Sequence, residues 1–281
     1  MGVVRPLCCF LLFAGLASAQ TAVFPLRDIR PGMKGIGKTV FEGSRVDEFQ
    51  VEVLGVLENS GPKQSLILAR LSGGPLERTG VMQGMSGSPV YIDGKLAGAV
   101  AMSFALSKEP IAAIRPIEDM LSIADQPQPQ QRRARLWDGE LAKSLPPPSE
   151  VATGGGRLVE IATPVSFAGF SPGVVAHFAP QLRALGLEPT QGIAGGSSPA
   201  GAAPPGSIEP GSMITVQLMT GDLSIGADGT VTHVDGNRIY AFGHRFLSVG
   251  ATELPFARSE VLALLPNLST SYKISAAREW A

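Results

Sequence analysis

Along the chain, apolar positions mostly alternate with polar ones or gather in short runs bounded by turn residues. Phe49, Val51 and Val53 alternate with Gln50 and Glu52, and a period of two marks a strand with one buried face. Residues 66–71 predict a second strand. Val90, Tyr91 and Ile92 lead into Asp93-Gly94, after which an apolar run covers 96–102. An Asp-Gly pair between two apolar runs predicts a hairpin, because both residues tolerate the positive φ of a type I′ turn. Residues 111–114 predict a further strand. Pro116 suits a first helical position, and Ile117, Met120, Leu121 and Ile123 follow at the spacing of one short amphipathic helix.

These elements make a first block over residues 24–124. The apolar period then disappears, and residues 125–157, with Pro146-Pro147-Pro148 and Gly154-Gly155-Gly156, predict a linker. A small connecting segment at 158–194 carries a helix candidate at 175–187. A second linker rich in Gly, Ala, Ser and Pro spans 195–211. Strand logic returns in the last block, 212–281, with candidates at 213–219, 229–234 and 238–242 and a turn at Asp235-Gly236-Asn237. No recognisable closing element precedes Ala281, so the last block is expected to be incomplete and the chain a fragment.

Composition sharpens this picture. Thirty-four glycines, 23 prolines and only 17% charged residues favour an all-β plan over a helical bundle. At the N-terminus, Arg5, an apolar run over 7–16 and the sequence Ala17-Ser18-Ala19-Gln20 predict a signal peptide at 1–19. The run is shorter than the roughly 20 apolar residues that span a bilayer. An uncleaved anchor is the alternative. The expectation is an exported protein, periplasmic or extracellular, that meets the membrane only as a transient export route. Cys8 and Cys9 both lie inside the signal, so a chain starting at Gln20 has no disulfide, catalytic thiol or cysteine-ligated metal. Its formal charge is close to −2, which does not suggest a nucleic-acid partner.

Candidate chemistry centres on Gly84-Met85-Ser86-Gly87-Ser88-Pro89, just before the predicted hairpin. A nucleophilic serine needs a tight turn, so that its own N–H and that of the residue two before it can hold a developing oxyanion. Here those donors are Gly84 and Ser86, and flanking glycines permit the turn. A Gly-x-Ser-x-Gly elbow fits less well, since it follows a strand and opens a helix. A glycine-rich turn whose serine merely bonds the local backbone explains the tetrad equally well. The glycines of Gly32-Met33-Lys34-Gly35-Ile36-Gly37 run in the reverse order of a dinucleotide fingerprint, and a turn into a strand is expected there. Without H-E-x-x-H or histidines at ligand spacing, no metal and no cofactor is expected.

Residues 49–121, with V-E-V-L-G, L-E-R-T-G-V-M-Q-G-M-S-G-S-P, D-G-K-L-A-G-A-V and P-I-E-D-M-L, resemble the serine half of the SpoIVB-type sporulation peptidases. The resemblance implies a chymotrypsin-like double β-barrel, a serine nucleophile at Ser86 and a catalytic histidine in a Gly-His pair. The matching pair is Gly243-His244, in I-Y-A-F-G-H-R-F-L. Two features depart from the family. His244 follows Ser86 where the family's histidine precedes its serine, as in a circular permutation. The family's acidic residue, expected within 71–76, is replaced by Ser72, Gly73, Gly74 and Pro75.

His177, in the predicted helix, is read as structural, and His233 is a reserve base beside His244. Asp222 and Asp93 are the first acids to inspect, although Asp93 fits a turn better. The reading is an exported serine endopeptidase of limited or regulatory proteolysis acting on protein or peptide substrates. The competing reading is a non-catalytic secreted binding or scaffold module on a degenerate serine-peptidase fold. Cleavage specificity and oligomeric state are not legible.

Overall fold

In the computed structural model, residues 21–61, 64–104, 106–124, 147–153, 156–192, 207–247 and 253–280 are described, and they build two curled, mainly antiparallel sheets. The period-two pattern at Phe49, Val51 and Val53 falls on β2 (Arg45–Gly61), where all three side chains are buried. Beside it stand β1 (Lys34–Glu42), β3 (Gln64–Ser72), β4 (Pro89–Ile92), β5 (Lys95–Phe104) and β6 (Ile111–Pro116). Their order is β4-β1-β2-β3-β6-β5, and β4 pairs back onto β5, which closes a six-stranded barrel. Closure leaves no free edge within the six. Phe49, Val51, Ile67, Leu71, Met82, Val100 and Ile114 fill its interior.

Residues 96–102 read as a continuous apolar run because β5 is covered on both sides. Ala97 and Val100 enter the barrel core, while Leu96 and Ala99 pack against Ile117 and Met120 of the helix α2 (Ile117–Ala124). The Asp93-Gly94 turn has φ of 49° and 73°. A short helix, α1 (Leu76–Thr79), precedes the Ser86 turn.

The expected linker over 125–157 ends in strand instead. Residues 125–146 lie outside the described residues, but β7 (Glu150–Thr153) and β8 (Gly156–Glu160) pair with each other, and β8 extends the first sheet from β5. Sequence pattern missed them because four- and five-residue strands that borrow their partner from a distant edge need little periodicity of their own.

The second sheet runs β10-β9-β12-β11-β14-β15, with β13 paired to β12. Its strands are β9 (Thr163–Ala168), β10 (Leu187–Gln191), β11 (Met213–Met219), β12 (Ser224–Asp235), β13 (Arg238–Ala241), β14 (Phe256–Leu265) and β15 (Tyr272–Trp280). The helix expected at 175–187 is α3 (Pro172–Ala184), joining β9 to the parallel β10. Residues 158–194 therefore hold the end of β8 in the first sheet, then β9, α3 and β10, of which the two strands join the second sheet. Of the second expected linker, 207–211 is described, and Gly211 N–H donates to Val231 O at 2.8 Å. The chain is mostly strand, and its two curled sheets resemble a double β-barrel, consistent with a chymotrypsin-like fold.

The two sheets meet along one seam. Val40 of β1 shares an apolar cluster with Met213 and Val261 of the second sheet. Gly43 and Val261 exchange backbone hydrogen bonds of 2.8 Å in both directions. Gln83, beside the serine motif, bridges to Tyr272 of β15. No helix among the described residues is long and apolar enough to cross a membrane.

Candidate active site

The serine motif forms a turn that glycine makes possible. Gly84 and Gly87 have φ of +88° and +92°, a region L side chains rarely adopt. Met85 N–H donates to Met82 O at 3.1 Å, Ser88 N–H to Met85 O at 2.9 Å and Gly87 N–H to Val100 O at 2.8 Å. The second sheet clamps the same turn. Thr230 Oγ1 donates to Gly84 O and Thr232 Oγ1 to Gly87 O, both at 2.7 Å, and Thr230 N–H donates to Ser86 O at 3.0 Å. The carbonyls of Gly84, Ser86 and Gly87 are thus engaged. Among the described residues, the N–H groups of Gly84 and Ser86 have no acceptor. Met85 is buried in the barrel core. Ser86 is 0% exposed, and its Oγ has no partner among the described residues.

His244 leaves the β12–β13 hairpin on a second strained turn. Phe242 and Gly243 have φ of +67° and +65°. For a bulky residue such as Phe242 this conformation costs on the order of 1–3 kcal/mol and persists only where packing over-determines it. That packing is present: Phe242 stacks on Phe246 at 5.0 Å and 12°, and meets the His244 ring edge-on at 6.4 Å.

Direct contact joins the two turns. A Cβ on Gly87 would lie 2.0 Å from Thr230 O and 2.5 Å from Phe242 N; one on Gly243 would lie 2.6 Å from Val100 O and 3.3 Å from Gly87 N. The residue after Ser86 and the residue before His244 therefore pack backbone to backbone, with no room for a side chain.

The imidazole of His244 has a defined orientation. Its Nδ1 lies 3.0 Å from Arg245 O, and because a carbonyl only accepts, Nδ1 carries the proton and Nε2 keeps its lone pair. Nε2 is shielded from solvent with no partner among the described residues. The flanking residues are pinned as well: Arg115 Nε donates to Gly243 O at 2.8 Å, and Arg245 Nη2 donates to Ser149 Oγ at 3.1 Å. Burial pushes the His244 pKa below its ordinary value. The Arg245 carbonyl and the charge of Glu160 oppose this, while Arg115 reinforces it.

Other candidates lie elsewhere. His177 is exposed on α3 beside Phe178. His233 stacks on Tyr240 at 5.8 Å and 23°, at the turn end of the β12–β13 ladder. Asp93 sits in its exposed hairpin turn and Asp222 in an exposed turn before β12. In the segment that lacks the family's carboxylate, Gly73 N–H donates to Glu77 Oε1 at 3.0 Å.

Sequence reasoning missed a buried polar network behind the serine turn. Lys273 of β15 is 2% exposed; its Nζ donates to Thr39 Oγ1 at 2.7 Å, and its stem packs on Gly84. Asp228 of β12 accepts hydrogen bonds from Thr215 and, at 2.7 Å, from Ser275. Burial pushes Lys273 down to about 7 and Asp228 up to about 6. Both border a polar cavity of about 660 Å³ that also involves Gln83, Ser166 and Thr190. Tyr272-Lys273-Ile274-Ser275 alternates as a surface strand would, and the inward lysine is tolerated through partners on distant strands: the Thr39 hydroxyl, Met213 Sδ and the charge of Asp228. Among the described residues no group of three or more His, Asp or Glu side chains converges as a metal site.

Residues 16–120 match the family model described as SpoIVB peptidase S55, a family of serine-type peptidases. The match includes Gly84 and Ser86 and stops before Glu160 and His244. No curated protein and no solved structure matches the chain.

Proposed function

We propose, from the SpoIVB-type serine-peptidase character of residues 16–120, that this chain is an exported serine endopeptidase of limited, regulatory specificity. Ser86 is the nucleophile, His244 the general base, and the N–H groups of Gly84 and Ser86 the oxyanion donors. The observation that carries this reading is the backbone contact between Gly87 and the Phe242–Gly243 pair. It sets the residue after Ser86 against the residue before His244, although 157 positions separate Ser86 from His244 in the chain. Export rests on the signal-like pattern of residues 1–19.

The chemistry follows from the groups in place. His244 Nε2, with its lone pair free, takes the Ser86 hydroxyl proton as Oγ attacks a peptide carbonyl. The two N–H groups without acceptors receive the oxyanion, each such donor contributing about 2.7–4 kcal/mol at the transition state. Collapse expels the amine, which His244 protonates, and water then releases the acyl group by the reverse proton path. Ser86 has no exposed surface, so a substrate reaches it only after local opening of the seam.

That burial is also the observation that favours the second reading, a non-catalytic binding or scaffold module. Labelling with a fluorophosphonate separates the two. The enzyme reading expects a covalent adduct that vanishes in Ser86→Ala and falls at least a hundred-fold in rate in His244→Ala. Folded, unlabelled wild-type protein supports the module.

A further inference from the structure

A serine-peptidase triad asks two things of its carboxylate: to hold the imidazole in the tautomer with a free Nε2, and to stabilise the imidazolium that forms. The segment where the family carries its acid has none here. Neither Asp93 nor Asp222 is buried beside His244. The groups that do surround His244 come from three elements.

The first is its own loop, where Arg245 O accepts from Nδ1. The second is β6, whose Arg115 donates to Gly243 O and also faces Asp119 of α2. The third is β8, which ends in Glu160. Glu160 pairs with Met102 of β5, and Ile161 N–H donates to Ala101 O at 3.0 Å, next to the Ala99–Val100 stretch that Gly243 touches. Ser149 ties the two segments together: its O accepts from Glu160 N–H at 3.2 Å, and its Oγ accepts from Arg245 Nη2. Glu160 Oε1 is buried without a hydrogen-bond partner among the described residues, and so is His244 Nε2. A carboxylate oxygen buried without a partner is costly, and such a group in a folded protein calls for an explanation.

We propose, resting on the peptidase reading above, that the duties of the missing carboxylate are divided: the Arg245 carbonyl fixes the His244 tautomer, and Glu160 is the positioning residue whose charge stabilises the imidazolium. Glu160 lies outside the segment that resembles known peptidases. The division accounts for two facts together. The local carbonyl already occupies Nδ1, so no side chain is needed to orient the ring. Burial pushes the His244 pKa down most, the Arg245 carbonyl and then the Glu160 charge push it up, and Arg115 pushes it down. Loss of Glu160 therefore weakens the base without misorienting it, unlike loss of a triad aspartate, which produces the wrong tautomer.

The test is heteronuclear NMR of the imidazole nitrogens across a pH titration, with His177→Gln and His233→Gln assigning the signals. The readout needs no turnover. In Glu160→Gln the His244 pKa is expected to move further down while Nδ1 stays protonated in the neutral form. Glu160→Asp should restore the titration in large part. Arg115→Gln, which keeps an N–H donor for Gly243 O, should move the pKa up. Fluorophosphonate labelling in Glu160→Gln should slow by roughly ten-fold, the effect of losing one nearby stabilising charge, with its acid limb displaced to lower pH. A His244 titration unchanged by Glu160→Gln in a folded protein overturns the proposal, as does a switch of the neutral ring to the Nε2–H form. If the titrations behave as expected but Ser86→Ala still labels, the peptidase reading fails and the Glu160–His244 coupling stands.

Discussion

Replacing Gly87 by alanine tests the seam on which the site depends. At φ +92° an added Cβ is strained whatever the space, and here it would sit 2.0 Å from Thr230 O and 2.5 Å from Phe242 N. Both neighbours are backbone, so no side-chain rotation relieves the clash. The conformational cost is about 1–2 kcal/mol and overpacking adds about 1–3 kcal/mol. A total near 2–5 kcal/mol is a large part of a domain's stability. Relief requires β12 and the 242–244 turn to move off the serine motif, stretching the Thr232 Oγ1–Gly87 O bond of 2.7 Å. Urea unfolding should therefore show a lower midpoint with an unchanged slope, and the folded fraction should label with fluorophosphonate far more slowly. A Gly87→Ala protein within about 0.5 kcal/mol of wild type, the range of an ordinary surface substitution, would show that the two turns do not touch.

Three further outcomes follow from the same geometry. Thr230→Val and Thr232→Val each remove a hydroxyl from a buried carbonyl of the serine turn; each should cost about 1–3 kcal/mol in denaturant unfolding and slow labelling as well. Burial holds the His244 pKa below 6.5, so the rate of labelling should lose its activity only below that pH as the base becomes protonated. Lys273 titrates at about 7 when folded and near 10.5 otherwise, so between those values the unfolded chain binds the extra proton. Stability from this group should rise with pH from 7 to 9 by up to about 1.4 kcal/mol per pH unit, and Lys273→Met should abolish that slope in unfolding curves.

Much of the first barrel was legible because its strands carry their own pattern. The alternation at Phe49, Val51 and Val53, the Asp93-Gly94 turn and the helix after Pro116 each follow from local sequence and appear as β2, the β4–β5 hairpin and α2. The hairpin accounts for β4 against β5, whereas the pairing of β4 with β1 that also closes the barrel has no local signal. The second sheet was harder to read because its polar residues point inward: Asp228, Thr230, Thr232 and Lys273 are buried, and binary patterning assigns such residues to the surface. β7 and β8 were hidden behind proline- and glycine-rich flanks. Of the proposed site, Ser86 is marked in the sequence by the glycines its turn requires, and His244 by the Gly243 that precedes it. Glu160 had no local signature, since its link to the His244 loop runs through β8 pairing with β5 and through Ser149, neither of which has a motif.

In the proposed mechanism the Ser86 hydroxyl and the His244 imidazole act as one unit. A crystal structure of the protein after fluorophosphonate treatment tests it most directly. The account predicts phosphorus bonded to Ser86 Oγ, the phosphonyl oxygen accepting from the N–H groups of Gly84 and Ser86, and His244 Nε2 within about 3.2 Å of the adduct's oxygen atoms. An adduct on another residue, or His244 held beyond hydrogen-bond reach of phosphonylated Ser86, would contradict it.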